Sequence, residues 1–136
     1  MKKLKFALIG AGGIANNAHA PAYEKMDNVE IVAVCDIIEE RAKKMADRLG
    51  APMYCTGYKK IFELDGLDAV DICTPNYLHS VIAVDALERG INVFCEKPDA
   101  VSVAEAEKMK AAAEKSGKTL MVMRNNRYRG ISAYLK

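Results

Sequence analysis

The chain has 136 residues, of which 51% are hydrophobic and 28% are charged, a composition that fits one globular domain with a real core. Its 20 basic and 18 acidic residues are interspersed and leave a net charge of +2, which predicts neither nucleic acid nor an anionic membrane as a partner. The longest apolar runs have the length of strands, so no transmembrane helix is expected.

Six short apolar segments, rich in Val and Ile, predict β-strands. They lack a clean alternation of polar and apolar residues, which is typical of strands covered on both faces. The first follows a basic MKK and runs into glycines rather than a cleavage site, so it is read as a strand and not as a signal peptide. The six segments are 4–10, 29–36, 51–55, 69–74, 91–96 and 118–124, of which the third is the weakest.

Helical patterns with one apolar face separate these strands. Ser102 and Glu105 form a capping-box pattern at the start of the last one. The alternation predicts an α/β fold, a doubly wound parallel sheet of the Rossmann type with strand order 3-2-1-4-5-6, formed as a single domain by residues 1–124. The helical segments, each followed by a glycine suited to a left-handed helix end, are 37–49 with Gly50, 77–89 with Gly90 and 103–116 with Gly117.

The first strand runs into GAGGIA, a G-x-G-x-x-A motif. Gly10 allows the tight turn, Gly12 lets the backbone approach a pyrophosphate, and Ala15 keeps the following helix close to the sheet. Gly13 and Ile14 lie at the start of that helix, whose free N–H groups suit phosphate. Because the motif follows a strand and opens a helix, it predicts a dinucleotide-binding loop rather than an empty turn.

Asp36 ends the second strand, 21 residues after the loop. Its carboxylate would accept hydrogen bonds from ribose hydroxyls and repel a 2′-phosphate, which favours NAD over NADP. Ile37 follows, where Ser or Arg often binds that phosphate, although Arg41 one helical turn on keeps NADP as the minority interpretation. Asp36 could also serve as the cap of helix 37–49.

Two further strand ends carry polar residues and prolines. Thr74, Pro75 and Asn76 follow the fourth strand, and 96–98, the sequence EKP, follows the fifth. Because ligands of open parallel sheets bind beyond the carboxyl ends of the strands, these segments and the glycine loop should border one crevice. His79 either shapes that pocket or serves the start of its helix. The notable residue of the first helix, His19 in a stretch interrupted by Pro21, is interpreted as structural.

The four cysteines are not spaced as a metal site requires, and only two histidines occur, so no metal is expected. Three of them lie at or near the ends of apolar runs. Buried thiols in a reducing compartment fit this pattern, which predicts a cytoplasmic protein. The cysteines are Cys35, Cys55, Cys73 and Cys95.

The order of GAGGIA, CTPNYLH and EKP resembles the cofactor domain of the glucose–fructose oxidoreductase, inositol dehydrogenase and MocA family. Members are NAD(P)-dependent dehydrogenases or reductases of sugars, polyols and related compounds. The resemblance implies that Lys97 lies beside the nicotinamide as a catalytic residue that assists proton transfer, with Glu96 orienting it or holding it electrostatically. It also implies that Pro98, whose peptide bond can be cis, and Asn125 lie at the cofactor site.

The chain departs from this family in two ways. Asp99 follows EKP where members usually have an apolar or small residue. The family's second domain, expected to begin after the connection 125–136, is absent, so we expect a domain of a longer homo-oligomeric parent that takes a small-molecule substrate. A non-catalytic module that senses NAD(H) is the alternative from another class.

Overall fold

The computed structural model describes residues 2–98 and 100–123, which build a six-stranded sheet in which every strand pair is parallel. The spatial order is β3-β2-β1-β4-β5-β6, the order predicted from the sequence. Because the chain reverses its direction of winding at β1, the carboxyl ends of β1 and β4 diverge into loops on either side of a crevice. The strands are β1 Leu4–Ile9, β2 Val29–Cys35, β3 Met53–Cys55, β4 Ala69–Ile72, β5 Asn92–Cys95 and β6 Leu120–Val122.

Helices connect the strands, and the first of them does not end at its proline. A π-helical turn, Ala15–His19, leads directly into α1, in which Pro21 occupies the second position and its missing N–H is tolerated. Within the described part of the chain, no helix has the length and apolar character needed to cross a membrane. The α-helices are α1 Ala20–Glu24, α2 Glu39–Leu49, α3 His79–Glu88 and α4 Val103–Ser116, and 3₁₀ turns span Tyr58–Glu63 and Asn76–Leu78.

The sheet is buried on both faces, which explains the unbroken apolar runs. Along β1, Ala7 and Ile9 pack with the residues of α3 and α4, whereas Leu8 packs with Ala42 and Met45 of α2 on the opposite face. Successive strand residues therefore serve two separate cores. All four cysteines are buried and none is in a disulfide, as predicted.

The helix ends follow the predicted turn chemistry. Gly50, Gly90 and Gly117 all have left-handed φ angles, of 70°, 79° and 69°. The Ser102 hydroxyl accepts a hydrogen bond from the N–H of Glu105 at 3.2 Å, which confirms the cap of α4. Asp36 does not cap α2. That helix begins at Glu39, its N-cap residue is Ile38, and no side chain caps it.

Replacing Gly10 with alanine should destabilise the domain severely. Gly10 has φ +101°, and a Cβ there would lie 2.7 Å from the backbone carbon of Cys73. The left-handed strain and the overlap with backbone should together cost about 3 kcal/mol of unfolding free energy, measured in urea. Gly117→Ala is the matched control, because its φ is +69° but nothing lies within 4 Å. A loss at Gly10 no larger than at Gly117 would contradict the close approach.

Candidate functional site

A cavity of ≈ 520 Å³ opens at the carboxyl edge of the sheet, where β1, β2 and β4 end. It brings together predicted residues from three separate stretches: Gly10 and Gly12, Asp36 and Ile37, and Thr74 and Pro75. The cavity is also lined by 56–58, the loop after β3, which the sequence interpretation did not assign to the cofactor site. Its position at the carboxyl end of a predicted parallel strand was the signal that could have found it.

The glycine loop leaves an open cradle. A Cβ at Gly12 or Gly13 would have no heavy atom within 4 Å, so nothing in the described chain fills the space above the loop. Among the backbone hydrogen bonds that the described residues form outside helices and strands, none has the N–H of Gly12 or Gly13 as its donor. Ala15 is fully buried against the sheet and Ile14 is largely exposed. The loop thus presents free donors at a helix start, as a phosphate site requires.

Asp36 fastens this loop to the end of β2. One carboxylate oxygen accepts the N–H of Ala11 at 2.8 Å, and the other accepts the N–H of Ile38 at 2.8 Å. The side chain is half-buried at the wall of the cavity, with Arg41 on the same wall. The carboxylate is therefore held in one orientation before any ligand arrives.

His79 lies inside the protein rather than on a helix surface, with an exposed fraction of 1%. Its Nε2 lies 2.8 Å from the carbonyl oxygen of Thr74, and its Nδ1 lies 2.7 Å from that of Pro98. The ring therefore joins the loop after β4 to the loop after β5 and shapes the pocket indirectly. Asn76 is exposed in the adjacent turn and is not part of the cavity wall.

Lys97 follows β5 at the same edge of the sheet, with an exposed side chain, and does not line the cavity. The Lys97–Pro98 peptide bond is cis, as the sequence allowed. Within the described part of the chain no carboxylate forms an ion pair with the Lys97 ammonium. The predictions for Asp99 and Asn125 concern residues outside those that the structure describes.

Glu96 turns into the protein: it contacts the backbone of Lys97 and forms no ion pair with the Lys97 ammonium, which was one of its two predicted roles. Its Oε1 lies 2.7 Å from Nε2 of His19, and its Oε2 accepts the backbone N–H of Lys97 at 3.1 Å. The other ring nitrogen of His19 lies 2.6 Å from Oδ2 of Asp71. His19 is 3% exposed, and its two acidic partners were not foreseen from the sequence.

Asp71 is the residue that sequence reasoning missed. It lies in the middle of β4, within AVDI, and is 0% exposed. A carboxylate in a strand buried on both faces requires a partner, and that requirement was the available signal. His19, Asp71 and Cys73 place three possible metal ligands within 4.8 Å. The His19–Asp71 separation of 2.6 Å is that of a hydrogen bond, shorter than the roughly 3 Å between two ligands of one ion.

The chain should lose stability as the pH rises through the alkaline range. Burial acts to lower the pKa of His19, but the hydrogen bonds and charges of Asp71 and Glu96 outweigh it and raise the pKa from 6.5 to about 9. Between those values the folded chain keeps a proton that the unfolded chain has lost. This stabilisation is complete below pH 6.5 and disappears as the pH passes about 9.

The decline in unfolding free energy should be about 3 kcal/mol across this window, measured by urea unfolding at a series of pH values. His19→Gln should remove most of the slope. A wild-type chain whose unfolding free energy stays constant over this pH window would contradict the raised pKa of His19. Above it, the buried thiols add to the loss, because burial raises the pKa of Cys35 to about 12 while an unfolded thiol ionises near 9.0.

The parallel sheet, its strand order and the glycine loop after β1 define the class: a Rossmann-fold nucleotide-binding domain. The model of an oxidoreductase family with an NAD-binding Rossmann fold, GFO_IDH_MocA, matches residues 4–124. The chain therefore belongs to the Gfo/Idh/MocA oxidoreductase family, as the resemblance of its motifs implied.

Curated relatives of the chain include sugar and polyol dehydrogenases. D-glucoside 3-dehydrogenase of Escherichia coli K12 is 36% identical over 117 residues, which cover 86% of this chain and 33% of that protein. Inositol 2-dehydrogenase of Salmonella paratyphi B is 33% identical over 120 residues, which cover 87% and 35%. The chain thus spans about a third of the length of these relatives.

Solved structures share the fold over nearly the whole chain. The WlbA dehydrogenase from Chromobacterium violaceum, in complex with NADH and UDP-GlcNAcA, is 35% identical, with a TM-score of 0.95 and coverage of 100% of this chain and 39% of that one. KijD10, a 3-ketoreductase from Actinomadura kijaniata in complex with TDP-benzene and NADP, is 31% identical, with a TM-score of 0.83 and coverage of 89% and 38%. The family that matches this chain is described as an oxidoreductase family with an NAD-binding Rossmann fold, and these two neighbours hold NADH and NADP.

Proposed function

We propose that this chain binds NAD(H) in preference to NADP(H) and is the cofactor domain of a longer dehydrogenase. The parent would transfer a hydride between the nicotinamide and a sugar, a polyol or a related hydroxy or oxo compound. The observation that carries this proposal is the single cavity bordered by Gly12, Asp36 and Thr74 at the carboxyl edge of the sheet. The relatives named as sugar and inositol dehydrogenases support the substrate class.

The residues present fit the dinucleotide. The open cradle at Gly12 and Gly13 leaves room for a pyrophosphate beside free N–H groups, and Asp36 offers a fixed acceptor at the cavity wall for ribose hydroxyls. The bound cofactor supplies the hydride donor or acceptor. The chain itself would orient the dinucleotide by these contacts, and Ile37 and Pro75 add apolar side chains to the cavity lining.

Lys97 is assigned to proton transfer at the reacting hydroxyl or carbonyl. A cation beside a developing alkoxide stabilises its charge, and an ammonium can release or recover the proton that leaves or joins the oxygen. Support comes from the place of Lys97 at the same sheet edge as the glycine loop and from the anchored backbone at Glu96.

Replacing Asp36 with alanine should narrow the preference for NAD. The change removes a ribose acceptor and a charge that repels the 2′-phosphate, so the preference should shrink by about 1–3 kcal/mol. The ratio of the NADH and NADPH dissociation constants, measured by calorimetry on the chain, is the proper readout because Asp36 also holds Ala11 and its loss weakens both. Asp36→Asn keeps an acceptor oxygen and isolates the charge.

An unchanged ratio in Asp36→Ala would reduce this residue to a structural support of the loop. Failure of the unmodified chain to bind either nucleotide would overturn the proposed function itself. An NADPH preference in the unmodified chain would instead favour Arg41, which shares the cavity wall with Asp36.

The non-catalytic sensor considered from the sequence is not favoured, because the curated relatives reported above are dehydrogenases. A turnover assay of the parent with sugars and polyols separates the two functions. The parent is also proposed to be a homo-oligomer in a cytoplasmic setting. Light scattering on the purified parent would measure its mass directly.

A further inference from the structure

His19 lies between two buried acids that come from distant parts of the chain. Its Nδ1 is 2.6 Å from Oδ2 of Asp71 and its Nε2 is 2.7 Å from Oε1 of Glu96. The exposed fractions of the three residues are 3%, 0% and 8%, so no bulk water competes for these contacts. Both ring nitrogens therefore face carboxylates in a low-dielectric interior.

The remaining contacts of the acids show where the protons lie. Asp71 also accepts the Tyr23 hydroxyl at 2.6 Å, and the Cys73 sulfur lies 3.5 Å from its other oxygen and 3.3 Å from Nδ1 of His19. Glu96 accepts the Lys97 N–H on the oxygen that does not face His19. An ionised carboxylate only accepts hydrogen bonds, so a ring held between two ionised carboxylates donates from both nitrogens. A neutral imidazole donates from only one.

The electrostatic surroundings agree with a doubly protonated ring. The titratable groups that face it are Asp71 and Cys73 on β4 and after it, Glu96 after β5, and Tyr23 on α1. Burial first, then the nearby Asp71 charge, raise the pKa values of Tyr23 and Cys73, so both stay neutral donors. The pKa of His19 itself is raised to about 9 because the two acids outweigh its burial.

This cluster connects the helical turn after the glycine loop to the loop after β5. His19 ends the π-helical turn that follows the glycine loop, and Glu96 directly precedes Lys97. The path from the ring through the Glu96 carboxylate to the Lys97 amide consists of two hydrogen bonds, of 2.7 and 3.1 Å. The backbone that carries the lysine is thus tied to the helix that begins at the phosphate loop.

We propose that His19 is a positioning residue: as an imidazolium between Asp71 and Glu96, it fixes the backbone of Lys97 relative to the glycine loop. Its importance for turnover rests on the proposed role of Lys97 in proton transfer. The hydrogen bonds that join Asp71, His19, Glu96 and the Lys97 amide, called the clamp below, are a property of this chain and do not depend on that role. Glu96 connects the Lys97 backbone to the buried His19 ring and does not form an ion pair with the Lys97 ammonium.

The ring state can be read without any variant. Nitrogen-15 spectra of the chain at about pH 7.5, above the ordinary histidine pKa, should show both His19 nitrogens protonated. The comparison is the same chain unfolded in urea, in which a histidine ring of ordinary pKa is mostly neutral at this pH. A neutral His19 ring with one unprotonated nitrogen would overturn the proposal, whatever the chain's affinity for NADH.

The connection to Lys97 is tested by amide hydrogen exchange. In His19→Gln and, separately, Glu96→Gln, exchange at the Lys97 amide should accelerate at least about tenfold while the Val93 amide in β5 stays protected. Glu24→Gln, which alters an exposed ion pair with Arg48, is the matched control. Glu96→Gln keeps the test decisive if His19→Gln does not fold. Unchanged exchange at Lys97 in a folded variant overturns the clamp.

In the parent enzyme, His19→Gln should lower kcat by about 100-fold, the cost of a misplaced catalytic group, with little change in the KM for NAD. A change in KM with an unchanged kcat would overturn the positioning role. A parent without any turnover would defeat the proposed function, whereas the clamp is decided by the ring spectra and the amide exchange.

Discussion

Replacing Gly12 with valine is expected to abolish measurable binding of NAD(H) without unfolding the chain. A Cβ at Gly12 meets nothing within 4 Å and its φ is not left-handed, so the fold tolerates a side chain there. The same side chain would occupy the space where a pyrophosphate must approach the backbone. Losing two hydrogen bonds to a charged phosphate would cost about 3 kcal/mol or more, at least a hundredfold in affinity.

Calorimetry with NADH, alongside thermal unfolding of each variant, separates a lost site from a lost fold. Gly12→Ala is the graded control, because one methyl group should weaken binding less than the branched valine. Native affinity for NADH in a folded Gly12→Val chain would show that the pyrophosphate does not bind at this loop. Gly10→Ala should instead lower the stability of the fold even without a ligand, because the added Cβ would overlap the Cys73 backbone.

Much of the fold could be predicted because its signals are local. Parallel strands covered on both faces produce apolar runs, and a helix that ends in a left-handed residue selects glycine, as at Gly50 and Gly117. The predicted strand 91–96 was too long at its end, because β5 stops at Cys95 and Glu96 turns toward His19. Apolar pattern alone does not mark where a strand gives way to a functional loop.

The site was predictable only in part, for a physical reason. The glycine loop and Asp36 carry their chemistry in short motifs, and the cavity unites them as expected. The partners of His19 are 52 and 77 residues away along the chain, so no local pattern could pair them. The one available signal was the acid Asp71 in the buried strand β4, because a buried carboxylate requires an interior partner.

Replacing Lys97 with alanine in the parent enzyme should lower kcat by about 10²–10⁴, the usual contribution of a positioned acid or base. The affinity of the chain for NADH should change little, because Lys97 lies outside the cavity that joins the glycine loop and Asp36. Lys97→Arg tests the chemistry rather than the charge, since a guanidinium keeps the cation but does not release its proton near neutral pH.

The two variants and a surface control distinguish the roles of this side chain. If proton transfer is the task, Lys97→Arg and Lys97→Ala should be comparably slow. If charge alone stabilises the reacting oxygen, Lys97→Arg should recover most of the rate. Lys108→Ala, an exposed lysine on α4, should leave the rate unchanged. Normal turnover in Lys97→Ala would return Lys97 to an ordinary solvated loop residue and leave Glu96 and His19 with a purely structural task.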